Sequence, residues 1–76
     1  MGDSKLEIQL TGDEALVFFE WISRFNERDD VTFAEQAEQR VLWDIQAMLE
    51  KVLVEPFDPN YDRLVSAARD SVRDEV

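Results

Sequence analysis

Histidine and cysteine are both absent from this chain, which removes most routes to catalysis. A Ser-His-Asp or Cys-His arrangement cannot be assembled, and no imidazole or thiolate is on hand to hold zinc. What remains are carboxylates, eighteen Asp and Glu against eight Lys and Arg. Paired carboxylates act as general acid and base only where a pocket pushes their pKa values apart, and no spacing here singles out a pair. One stretch has metal-ligand spacing: Asp58-x-Asn60-x-Asp62 supplies the first three oxygens of a calcium loop. That loop then needs Gly where Arg63 stands and a bidentate Glu where Arg69 stands. Two cations at those places make the stretch a helix start. No catalytic residue, metal or cofactor is expected, and the chain reads as a non-enzyme.

Charge narrows the partners. A net charge of −10 opposes nucleic-acid phosphate, whose binding proceeds by releasing counterions to clustered cations. It opposes an anionic membrane surface in the same way. A basic protein partner stays open, and so does the plain reading that the charge only keeps a small protein soluble. The opening residues carry no charged-then-apolar signal pattern, and no apolar run has membrane-spanning length. The expected location is the cytoplasm.

The elements that must position any surface can be read from periodicity. Residues 5–11 alternate, with Leu6, Ile8 and Leu10 on one face and Lys5, Glu7 and Gln9 on the other, as in a half-buried strand. A lone strand leaves both edges unpaired. It must pair with its copy in a dimer, pair with a partner, or lie as an extended arm over helices. Thr11 and Glu14 have capping-box spacing and open a helix over about 12–27. Ala15, Phe18, Phe19, Ile22 and Phe25 share one face of it, while Val17 and Trp21 lie on a neighbouring strip. That much apolar surface exceeds what one helix covers, so this helix is either sandwiched or meets another chain. Glu20 and Arg24 form an i,i+4 pair on the remainder.

The longest pattern covers 33–54. Ala34, Ala37, Val41, Ile45, Met48 and Val52 recur at three- and four-residue steps, widened by Leu42, Leu49 and Leu53. Thr32 and Glu35 offer its capping box, and Pro56 ends it. This reads as the central rod against which the other elements pack. Trp43 and Ala47 point away from its main stripe. Asp58 before Pro59 suits the start of a third helix over 59–73, with Tyr61, Leu64, Val65, Ala68 and Val72 inward. Phe57 is expected to plug the corner before it. The predicted fold is mainly α: one domain over residues 1–76, a short N-terminal β-strand or extended arm, then a three-helix bundle with a long central helix.

In size, acidity and helicity the chain is similar to acyl carrier proteins, which bear phosphopantetheine on the Ser of Asp-Ser-Leu at the start of their second helix. The nearest matches here are Asp3-Ser4-Lys5, in the leading tail, and Asp70-Ser71-Val72, near the end. Neither stands where that group would be presented, so the likeness does not extend to carrier function.

The surviving functional signals are surfaces. Candidate interface residues are Val17, Trp21, Trp43 and Ala47 on the helices, with Leu6, Ile8 and Leu10 on the arm. Indoles are favoured at interface hot spots because one ring buries a large area. Glu27, Asp29 and Asp30 form the densest acidic cluster, at a helix end where their charge opposes the dipole. With no disulfide or zinc to staple a small core, a homodimer is expected. The functional expectation is a non-enzymatic protein–protein interaction module, in its sharper form an inhibitor masking a basic site. The alternative is a self-associating structural protein or a stabilising subunit.

Overall fold

The computed structural model describes residues 4–28, 32 and 34–74. The chain is mainly helical. α1 spans Gly12–Asn26, α2 Gln36–Val52 and α3 Tyr61–Asp74, with a 3-10 turn at Glu55–Phe57 between the last two. Residues 4–10 carry no regular secondary structure, and no β-ladder forms among the described residues.

α1 begins where its local chemistry says it should. The Thr11 hydroxyl accepts from the Glu14 amide at 3.1 Å, and the Thr11 amide donates to Glu14 Oε1 at 2.9 Å. Two orphan donors are satisfied reciprocally, and Asp13 and Glu14 add negative charge at the positive helix end. α2 starts three residues later than the sequence pattern predicts. Its cap is Glu35 rather than Thr32: Glu35 is extended (φ −151°, ψ 141°) and its carboxylate accepts from the Ala37 amide. Glu38 then reaches back to the Ala34 amide at 2.8 Å. The two carboxylates satisfy amides at the helix start without closing a capping box, and Thr32 is left exposed.

The far ends shift for similar reasons. Leu53 leaves helical geometry (φ −89°, ψ 136°), so α2 stops at Val52, four residues before Pro56. Pro56 instead sits in the first positions of the 3-10 turn, where its missing amide costs nothing. α3 starts at Tyr61, not Pro59. Asp58 Oδ1 accepts from the Asn60 amide at 2.8 Å, turning the chain before the first helical bond forms from Leu64 to Asn60. Phe57 does not plug this corner, being 75% exposed; Leu53 is the buried apolar residue between α2 and α3.

The packing order also differs from the one predicted. α1 packs against both α2 and α3, and α2 and α3 hardly meet. The buried residues are Leu16, Phe19 and Ile22 of α1, Leu53, and Val65 and Ala68 of α3; α2 contributes none. α1 is therefore the sandwiched element, and α2 is not the central rod. The cause is the distribution of apolar residues. α1 is apolar around most of its circumference and can face two neighbours, whereas α2 carries one stripe. The radius of gyration is 14.0 Å, against roughly 11 Å for a compact chain of this length. Apolar surface is consequently left uncovered.

Candidate functional site

Two groups of polar contacts join α1 to its neighbours. Toward α2, Asn26 Nδ2 donates to Gln46 Oε1 at 2.6 Å, and Gln46 Nε2 donates to Ser23 Oγ at 3.3 Å. Asn26 Oδ1 is buried without a hydrogen bond. Toward α3, the Tyr61 hydroxyl donates to Glu20 Oε1 at 2.9 Å, while Glu20 Oε2 pairs with Arg24 Nε at 2.9 Å and lies 4.0 Å from Arg69 Nη2. The Glu20–Arg24 pair predicted from spacing thus forms, but Glu20 is drawn between helices and serves as a clasp.

That clasp has a titration signature. Burial first, and then the hydrogen bond from its hydroxyl to Glu20, push the Tyr61 phenol up from 10.0 to about 12. An acid whose folded pKa is raised contributes stability that is full below its unfolded pKa and lost as pH rises through the folded value. Stability is therefore expected to hold to about pH 10 and fall by on the order of 1–2 kcal/mol toward pH 12 after allowance for solvent screening. Tyr61 is the only tyrosine, so phenolate absorbance reports it directly. Tyr61→Phe should remove that part of the pH slope; an unchanged slope would mean that the Tyr61 phenol is not shifted by its burial and its bond to Glu20.

The structure separates the helical interface candidates. Val17 packs half-buried against the cluster of Leu16, Val65 and Ala68, and so belongs to the α1–α3 core. Trp21 is 45% exposed and stacks between Phe18 and Phe25, with ring centroids 6.3 and 5.0 Å away. Trp43 is 48% exposed, and Ala47 is exposed beside it on the outer side of α2. The two indoles do not form one patch. Ser23 and Asn26 face α2, and Trp21 lies about 160° around α1 from Ser23. Glu27 is the exposed C-cap of α1, whereas Asp29 and Asp30 lie outside the described residues.

The arm candidates have a different setting. Leu6, Ile8 and Leu10 line one wall of an apolar groove of ≈ 490 Å³ whose other walls are Phe18 of α1 and Ile45, Met48, Leu49 and Val52 of α2. Leu6 is 90% exposed, Ile8 78%, Met48 58% and Val52 73%. Sequence periodicity had placed Met48 and Val52 in the interior. Within their stripe Leu42, Ile45 and Leu49 are half-buried, whereas Val41, Met48 and Val52 stay exposed. The signal for the groove lay in two surpluses read separately: an alternating arm with no ladder partner, and a helix stripe wider than one neighbour.

Every residue lining this groove is apolar, so it offers no group for acid–base or nucleophilic chemistry. Among the described residues no cluster of three or more Asp and Glu stands ready to hold a metal ion, and no helix is long and apolar enough to cross a membrane. No protein family matches the chain, and no curated protein and no solved structure is detectably similar to it.

Proposed function

We propose that this chain is a non-enzymatic, cytoplasmic protein–protein interaction module of acidic character. One observation carries the reading: Leu6, Ile8, Met48 and Val52, all more than half exposed, line one apolar groove on a chain of 76 residues, and Trp43 adds a second exposed apolar site elsewhere on α2. Isolated exposed apolar residues are ordinary, but contiguous apolar surface on this scale marks an interaction site. The outer side of α2, with Trp43 and Ala47, is the surface for a foreign partner. At 100° per residue Trp43 lies about 140° from Met48 around α2, so this surface is distinct from the groove. The net charge of −10 favours a basic target, which the module would mask as an inhibitor. Long-range attraction would speed encounter, while burial of the indole would slow dissociation.

The test is affinity capture from native lysate with wild-type and Trp43→Ala baits, under low-salt and high-salt washes. The expected result is a stoichiometric basic protein that salt weakens and that Trp43→Ala fails to retain. Equal retention by both baits at both salts would overturn the acidic-mask reading.

A further inference from the structure

We infer that the groove is closed by a second copy of this chain, the two N-terminal arms pairing antiparallel about a two-fold axis at Ile8. This rests on the reading that the chain works through uncovered apolar surface, and it names the occupant of the part that Trp43 does not reach. The arm has the side-chain alternation of a strand but forms no ladder among the described residues, and apart from Thr11, which caps α1, its backbone is left for pairing. Only even registers keep the apolar faces together, because a one-residue slip turns one arm over. Centring on Ile8 opposes Leu6 with Leu10, Glu7 with Gln9 and Lys5 with Thr11. All three apolar pairs then share a face, and no like charges meet. Centring on Glu7 would oppose two carboxylates, which is destabilising.

Area favours the same occupant. At the exposures given above, the arm and the Met48–Val52 flank present on the order of 700 Å² per copy, close to the ~800 Å² per partner of a stable interface. An isologous contact needs one self-complementary patch, and a ribbon of two arms roofing the apolar flanks of two α2 helices supplies it. The groove wall has no charged residue that would select a partner by sign. Two copies of charge −10 repel one another. Self-association is therefore strengthened by salt, the reverse of the behaviour expected for an acidic mask on a basic target.

Sedimentation of the full chain at low and high salt, with cross-linking, tests this. Wild type should form a dimer that tightens with salt. Ile8→Asp, which sets two carboxylates opposite each other at the axis, should weaken it about 100-fold or more, and Trp43→Ala should leave it unchanged. Helicity measured in parallel should be retained by Ile8→Asp, since residue 8 lies outside all three helices. The native chain has no cysteine, so Ile8→Cys under mild oxidation should link to its own counterpart, while Glu7→Cys should not. A wild-type monomer at all concentrations, or a dimer indifferent to Ile8→Asp, would overturn the inference. If the wild type is monomeric yet a salt-sensitive partner is lost by Trp43→Ala, the second copy is excluded and the interaction-module reading stands.

Discussion

Ile22→Ala is expected to lower unfolding free energy by about 3–4 kcal/mol, most of the stability that a chain this size can muster. Ile22 is fully buried on α1, the helix that both others pack against, and a cavity there cannot be filled by one neighbour closing in. Phe57→Ala is the instructive contrast. Sequence reasoning makes Phe57 a corner plug, and removal of a buried phenylalanine would cost a comparable amount. The structure leaves it exposed, so the loss should stay under about 1 kcal/mol. Urea titration of the two variants beside wild type decides between these placements. Equal losses would mean that α1 is not the hub.

The second large effect concerns the polar bridge between α1 and α2. Gln46→Leu alone is expected to cost about 1–3 kcal/mol, because it takes the hydrogen-bond acceptor from the Asn26 amide, whose Oδ1 is already unpaired, and removes the bond to Ser23. Asn26→Leu combined with Gln46→Leu should recover most of that loss, since removing both partners removes the desolvation penalty together with the bond. The coupling energy from the double-mutant cycle should be about 1 kcal/mol or more. Additive losses would show that the two amides do not depend on each other. The unpaired Asn26 Oδ1 makes this an under-satisfied contact, one that specifies how α2 sits more than it stabilises the pair.

What could be read in advance divides by the range of the interaction. The Thr11–Glu14 box and the extent of α1 depend on residues within a turn of each other, and the structure keeps them almost unchanged. The start of α2 was ambiguous because two overlapping registers, Thr32 with Glu35 and Glu35 with Glu38, can each cap it. Hydroxyl preference alone chose the first. The 33–54 pattern does not reveal the hub, because a long stripe shows that a face is apolar but not what lies opposite it. The better clue was in α1, whose apolar residues go too far around the helix for one partner. Among the site residues, Leu6, Ile8 and Leu10 were legible as a set from their two-residue spacing. Their neighbours across the groove, Ile45, Met48 and Val52, were not, since which helix an arm lies beside is a long-range choice that local spacing does not encode.

The weak contact between α2 and α3 has a consequence for how the molecule comes apart. The cluster of Leu16, Val65 and Ala68 contains no residue of α2, so loosening of α2 from α1 is expected to leave that cluster packed. Opening then has two rungs of unequal height. Amide protons of α2 exchange with solvent through the lower rung, whereas those at the centre of α1 wait for the upper one. A second chain seated along the groove would grip α2 and the arm together, raise the lower rung toward the upper, and so turn a molecule that loosens in steps into one that unfolds as a unit.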